Sequence, residues 1–338
     1  MTDIINRRAD STLFGFEFQG CAAIVLFLEN LKDIKSFRLE GNEDIDLMLD
    51  DNYLILAQAK SVRHPKEDFA NVTSNLRKSL LSLSEASRNK KIRKLIYITN
   101  TIKPFGQKES TFELPSWYDY ADLTKSERML VDRYLSDIEV PLDCNSFSIT
   151  VFPFDTDNPK ERYKFIRQQI QDFLISLSLQ NSVKSDDLLE VWKSMVLQSG
   201  TNHDISKSIA KKEMIWPLIA EAIKMRNIPD ELSSDVDEYI YEIVSTQFKD
   251  FFIEIENDFE FVNKVLADYT KVFKMSHDKR GAQCLAFANN NWKKYIDDFK
   301  SEQLDKDANL KEFLIKLTLY RITINRMLIR DIKAEVGI

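Results

Sequence analysis

The chain reads as an α/β protein: a mixed β-sheet flanked by helices in its first half, then an all-helical second half. Three observations predict this. Short runs of β-forming residues alternate with helical periods up to about residue 182, and convincing strand runs stop near Val183. With 338 residues, 43% of them hydrophobic, the chain is also long enough for two cores. The expected domains are therefore residues 1–182 and 183–338.

Asp10 or Ser11 can cap a helix from Thr12 to Leu31, in which Leu13, Phe14, Phe18, Cys21, Ala22, Val25 and Leu28 recur near helical spacing. Ile34 to Glu40, Asp44 to Asp50 and Tyr53 to Ser61 read as three strands, the last two joined by turn-forming Asp-Asp-Asn. A helix is expected over Glu67–Arg88, then a buried central strand over Ile92–Asn100. Pro104 and Gly106 open an irregular insertion, in which Thr124 or Ser126 starts a helix running to Ile138. Phe147 to Phe154 supplies a strand whose end Pro153 should place at a sheet edge, and Asn158–Leu179 closes the domain as a helix. Helical patterns follow at Leu188–Leu197, Ile205–Met225, Ser234–Tyr269 with a break near Asn257, Ala282–Phe299 and Leu310–Ile332. Phe251, Phe252, Phe259 and Phe261 fit either a core or a partner surface.

The chemistry concentrates in Glu40-Gly-Asn-Glu-Asp44-Ile-Asp46 and Gln58-Ala-Lys60. Strand alternation puts Asp44 and Asp46 on one face and Gln58 and Lys60 on one face. With Asp51, Asn52 and Tyr53 as the loop, Asp46 lies opposite Gln58 and Lys60 is its diagonal neighbour. A hard divalent cation needs oxygen ligands, and an attacking water beside it needs an orienting cation or base. Asp46, Gln58 and Lys60 can supply both.

Asp46-Leu followed by Gln58-Ala-Lys60 resembles the core of the PD-(D/E)XK nuclease superfamily, with glutamine in place of the usual acid. That exchange resembles the branch holding Mrr-like restriction enzymes and the double-strand DNA endonuclease effectors of bacterial anti-phage defence. Upstream, Gly15-Phe16-Glu17-Phe18-Gln19 is similar to the first helix of those effectors, with Gln19 where they carry glutamate or glutamine. The resemblance covers about half the chain and implies a restriction-endonuclease-like fold of αβββαβ order. It implies a Mg²⁺ or Mn²⁺ ion held by Asp46, Gln58 and the Ala59 carbonyl, with Asp44 and Glu40 as further candidates. Lys60 would act at the attacking water, and Gln19, with Glu17 as a weaker candidate, would support metal-bound waters. Glu43 is expected on the opposite face, and Gly15 to allow close packing. The implied partners are double-stranded DNA, further copies of the chain, and an SMC-like ATPase as in Lamassu-type systems, whose nuclease subunit the helical second half suits; a HerA-type ATPase stays open.

The formal charge of −7 argues against DNA until its distribution is read. From Lys60 to Lys108 there are 12 Lys and Arg against 3 acids, so that block is about +9 and the remainder about −16. Arg63, Lys66, Arg77, Lys78, Arg88 and Lys91 are the expected phosphate contacts; the alternative is a solvated helix face. Cys21, Cys144 and Cys284 are too scattered for a disulfide framework or zinc finger, and His64, His203 and His277 for a histidine metal site. No Gly-rich phosphate loop occurs. No apolar run approaches a spanning length and the N-terminus lacks a signal-peptide pattern, so the expectation is a cytoplasmic protein with no membrane partner. The alternatives to a nuclease are a catalytically silent DNA-binding or scaffold subunit, and a helical adaptor.

Overall fold

The computed structural model describes residues 2–155, 158–200, 208–224, 228–234, 236–255, 258–273 and 280–338. His203, His277 and Asn257 lie outside the described residues. Two compact units emerge, one of residues 1–176 and 184–211, the other of residues 177–183 and 212–338. The sheet unit therefore reaches beyond residue 182, taking in one more helix and one more strand.

In the first unit, α1 (Thr2–Glu29) is followed by β1 (Ile34–Leu39), β2 (Ile45–Leu49), β3 (Leu54–Lys60), α2 (Val72–Ser87) and β4 (Ile92–Thr99). Then come β5 (Ser116–Asp119), α3 (Lys125–Leu135), β6 (Phe147–Val151), α4 (Pro159–Arg162), α5 (Lys164–Ser176), α6 (Ser185–Gly200) and β7 (Ile209–Ala210). The described strands form one open mixed sheet in the order β5-β6-β4-β3-β2-β1-β7. β1, β2 and β3 are antiparallel neighbours, β3 runs parallel to β4, and β4 parallel to β6. The helices flank this sheet, so the α/β expectation holds.

α1 begins ten residues before the expected helix start at Thr12, because residues 2–11 contain no Pro or Gly to stop it. Its segment Ser11–Glu29, with mean hydropathy 1.6, is long and apolar enough to cross a membrane, contrary to the sequence expectation. More than half of that segment is buried in the fold, with Phe18 and Cys21 to Phe27 inaccessible. α3 starts as expected: Thr124 accepts from the Glu127 N–H while Glu127 accepts from the Thr124 N–H, a reciprocal cap that accounts for a buried glutamate. β6 ends before Pro153 and lies between β5 and β4, so Pro153 marks a strand exit and no sheet edge.

Two strands were not foreseen. β5 has four residues inside the Pro-rich insertion, and β7 has two inside a segment of helical period. At that length pairing partners decide the conformation, and periodicity has nothing to count.

The second unit contains most of α7 (Lys211–Ile223), with α8 (Asp230–Ser233), α9 (Glu238–Ile253), α10 (Asp258–Val272), α11 (Arg280–Asn291), α12 (Glu302–Lys306), α13 (Ala308–Ile324) and α14 (Arg326–Val336). α13 is buried on every side from Phe313 to Thr323 apart from Lys316, as the centre of a helical cluster must be. Phe251, Phe252, Phe259 and Phe261 are all buried, with Trp216 stacked 4.5 Å from Phe252. These rings are core, so no partner surface is built from them.

One buried side chain holds the carboxyl ends of three strands together. Asn100, fully buried just past β4, accepts from the Val62 N–H at 2.7 Å and donates to the carbonyls of Val62 at 2.7 Å and Phe154 at 2.6 Å. Truncation strands three backbone groups where water cannot reach them. Asn100→Ala is expected to lower unfolding free energy by about 3 kcal/mol in urea titration with an unchanged slope; a loss below about 0.5 kcal/mol would show that the strand exits are held by other contacts.

Candidate functional site

The geometry follows from where the β2–β3 hairpin closes. Leu49 N–H donates to the Tyr53 carbonyl at 2.9 Å and Asn52 N–H to Leu49 at 3.0 Å, so the loop is Asp50-Asp51-Asn52. Asn52 sits at φ 63°, a conformation asparagine tolerates better than most residues, and Asp51 accepts the Tyr53 N–H at 3.1 Å. The ladder then pairs Asp46 with Leu56 and Ile45 with Ala57. Continued by one step, it sets Asp44 against Gln58. The expected register is thus displaced by two residues, which preserves the face of every side chain but exchanges the acids.

Asp44 is where the predicted side chains converge. Its Oδ2 accepts from Gln58 Nε2, from the Ala59 N–H at 2.9 Å and from Lys60 Nζ at 3.2 Å. β2 has ended at Ile45, so the edge of β3 beyond Ala57 faces this carboxylate and not a neighbouring strand. In an extended strand the N–H and C=O of one residue share an edge, so the Ala59 carbonyl lies on that open edge as well. Across the next hairpin, Glu40 N–H donates to the Asp44 carbonyl at 3.0 Å, and Gln19 from α1 hydrogen-bonds the Glu40 side chain. Glu40 adopts φ 52°. Burial of its carboxyl, then the nearby Asp44 charge, hold Glu40 above the usual carboxylate range although much of the residue is exposed.

Asp46 does not join this group. Arg38, its partner across β1–β2, donates to Asp46 Oδ2 from Nε at 3.0 Å and from Nη2 at 2.8 Å. The Asn42 N–H and side-chain amide add 2.8 and 2.6 Å contacts to the same oxygen, and the Glu43 N–H reaches Oδ1 at 3.0 Å. The expected role of Asp46 as the metal-bridging acid opposite Gln58 is corrected: five hydrogen bonds hold its buried carboxylate as the anchor of the β1–β2 hairpin. Gly41 makes this possible, since a Cβ there would stand 2.4 Å from Asp46 Oδ2 and 2.2 Å from Arg38 Nε. Sequence reasoning missed Arg38, although an arginine two residues before Glu40 was the available signal.

Other expected residues scatter. Glu17 pairs with Arg162 at 2.9 Å and accepts from the Tyr163 hydroxyl at 3.2 Å. Gly15 has open space where a Cβ would stand; on the same helix, a Cβ at Gly20 would stand 3.4 Å from Leu197. Arg63 and Lys66 follow β3 directly and lie at the Lys60 end of the sheet. Exposed Arg77 pairs with Asp137 at 3.0 Å, and Lys78 and Arg88 are exposed on and just after α2. Lys91 is elsewhere: Leu54 N–H donates to its carbonyl, and Leu54 is six residues, about 20 Å of strand, from Lys60. The +9 block is one stretch of sequence but two ends of a sheet.

The oxygen donors near Lys60 are the Asp44 and Glu40 carboxylates, the Gln58 amide and the Ala59 carbonyl, a hard set that suits Mg²⁺ or Mn²⁺ once the Gln58 amide turns its oxygen inward. Among the described residues no group of three or more His, Cys, Asp or Glu could hold a metal by itself, so a cation here would depend on neutral oxygens and water. Comparison with family models, curated proteins and solved structures finds no match to this chain.

Glu43 generates a pH prediction. It is 6% exposed, accepts from the Ser82 hydroxyl at 2.7 Å, and burial pushes its carboxyl up to about 7 from 4.5. Between those values the folded chain keeps a proton that the unfolded chain has released, so stability falls as pH rises through that window. The loss attributable to Glu43 is up to about 3 kcal/mol. Glu43→Gln, which keeps an oxygen for Ser82, is expected to reduce the fall of chemical-denaturation stability between pH 5 and pH 8, leaving the slope that Glu29, also raised to about 7, imposes in the same direction. An undiminished slope would locate the titrating group elsewhere.

Proposed function

We propose that the chain is a metal-dependent endonuclease hydrolysing the DNA phosphodiester backbone, with a restriction-endonuclease-like first unit. The observation that carries this is the row Glu40–Asp44–Gln58 with Lys60 at the open end of β3. Its support is twofold: the α1-β1-β2-β3-α2-β4 order, antiparallel through β3 and then parallel, is the order the nuclease resemblance implies, and acid, amide and lysine meet within it. Asp44 takes the role first expected of Asp46.

Asp44, Gln58, the Ala59 carbonyl and Glu40 would hold Mg²⁺ or Mn²⁺. When bound, the cation polarises a phosphate oxygen and makes water a stronger acid. Lys60, a third exposed and paired with Asp44, can turn its ammonium toward the negative charge that develops on the phosphate. Gln19 holds the Glu40 carboxylate in place, and Asn100 fixes the chain just past Lys60. Arg63 and Lys66 offer phosphate contacts at this end of the sheet.

Biologically the reading is an anti-phage or anti-plasmid effector acting in the cytoplasm. Cutting both strands needs two such sites, which self-association supplies. The helical unit would restrain and assemble the nuclease with an SMC-like ATPase, as in Lamassu-type systems. A second reading, a catalytically silent DNA-binding or scaffold subunit, draws on one observation: Asp44 Oδ2 is already satisfied by three donors from its own chain.

Plasmid cleavage with Mg²⁺ or Mn²⁺, with and without the subunits encoded beside this chain, separates the two. Asp44→Asn and Lys60→Met are expected to reduce cutting at least about a hundredfold at unchanged thermal stability. Asp46→Ala, in contrast, is expected to cost about 3 kcal/mol of stability by removing the buried acceptor of five hydrogen bonds from Arg38, Asn42 and Glu43. Wild-type cutting by either of the first two variants would sink the site; DNA binding without cutting under every condition would favour the scaffold.

The split of the basic block gives a further expectation. Arg63→Glu with Lys66→Glu should reduce the slope of log K against log salt by about 0.9 per lost phosphate contact, while Lys91→Glu leaves it unchanged. The reverse pattern in a filter-binding series would move the DNA path to the other end of the sheet.

A further inference from the structure

A pocket of about 250 Å³ opens in the first unit, against β4, β5 and β6 beside the end of α1. It is separate from the Asp44 row. Gln58 neighbours Tyr97, whereas the pocket is lined by Ile96, one residue along β4, and by Ser148 opposite it, so it lies on the other face of the sheet.

Its walls are chemically specific. Trp117 is 45% exposed, a large indole left open at a polar cavity, and it hydrogen-bonds the Glu29 carboxylate. Asp119 and Asp122 line the rim, and Lys94, the cation of the lining, is engaged by Asp119 at 3.0 Å. With three carboxylates against one ammonium, the ionised pocket carries a net −2. The Ser148 hydroxyl is buried, 3% exposed as a residue, and has no hydrogen-bond partner. An orphaned buried hydroxyl beside a cavity wants a ligand atom there.

We propose that this pocket binds a guanidinium group, as borne by an arginine side chain. A guanidinium is planar, so it stacks on the Trp117 face, and its several N–H donors match the Glu29 carboxylate and, once the wall side chains part to uncover it, the Ser148 oxygen. Phosphate-bearing ligands are repelled by the acidic rim. A bare metal ion would meet carboxylates already engaged, Asp119 by the Lys94 ammonium and Glu29 by the Trp117 N–H. Burial lifts Glu29 to about 7, with Lys94 and Trp117 opposing the rise, so a bound guanidinium should draw off its proton and bind more tightly as pH rises from 6 to 8.

The test is titration of the full chain with Nα-acetyl-argininamide, following the Trp117 indole N–H resonance assigned with Trp117→Phe. Saturable shifts are expected, with affinity about tenfold weaker in Glu29→Gln and a few-fold weaker in Ser148→Ala, a substitution that removes only an unsatisfied hydroxyl. Free arginine, whose carboxylate meets Asp119 and Asp122, should bind more weakly if the natural source is a protein side chain, and at least as well if it is the amino acid. No saturable shift in the wild-type chain, equal binding of Nα-acetyl-lysinamide, or unchanged affinity in folded Glu29→Gln would each overturn the proposal.

Discussion

Where the β2–β3 hairpin closes decides what each acid of the Glu40–Asp46 segment does. Closure between Leu49 and Tyr53, with Asn52 in the left-handed region, opposes Asp46 to Leu56 and brings Asp44 to Gln58. Because side chains on a strand repeat every two residues, this displacement leaves the hydrophobic faces intact. Both faces of β3 are buried from Ile55 to Ala59, so burial alone does not select the register. The turn makes the finer choice.

The two aspartates then meet opposite demands. Asp46 lies within the ladder, where a carboxylate must be compensated, and Arg38 from β1 with three donors from the 41–43 loop supplies that. Asp44 lies just beyond the last paired residue, where β3 presents an N–H, an amide and an ammonium along one open edge. An acid inside the ladder holds the fold together; one past its end is accessible to chemistry. Gly41 links the two by letting the hairpin close over the Arg38–Asp46 pair.

Much of this was legible in the sequence. Element type and order up to β4 follow from periodicity and from turn residues such as Asp51 and Asn52, and strand alternation with the family resemblance groups Gln58, Lys60, Glu40 and Gln19. What escaped has particular causes. The Asp44/Asp46 exchange turns on a one-residue shift of a three-residue loop, for which Asp-Asp-Asn offers two nearly equivalent closures. The Arg38 partnership needs the β1–β2 register, and β5 and β7 are too short to show a period. The division of the basic block was invisible because contiguity in sequence says nothing about which end of a parallel crossover a residue reaches. Lys60 and Lys91 flank one such crossover from opposite ends.

Glutamine at position 58 makes sense in the resulting electrostatics. Glu40 is already held above its ordinary range by burial and by Asp44, while Lys60 is the cation in contact with Asp44. A third carboxylate in place of Gln58 would leave three negative charges around one ammonium, raising Glu40 further and binding a divalent cation tightly at rest. The amide instead donates to Asp44, and on the proposed reading it would turn its oxygen inward when a cation arrives, so that one side chain would serve both states. Lys60 has the matching freedom, being a third exposed at the sheet's open end. A site built this way is neutralised by its own lysine at rest. On the proposed nuclease reading, a divalent cation would have to displace that lysine from Asp44, most easily with a phosphate present to receive the ammonium, and metal and DNA would then bind cooperatively.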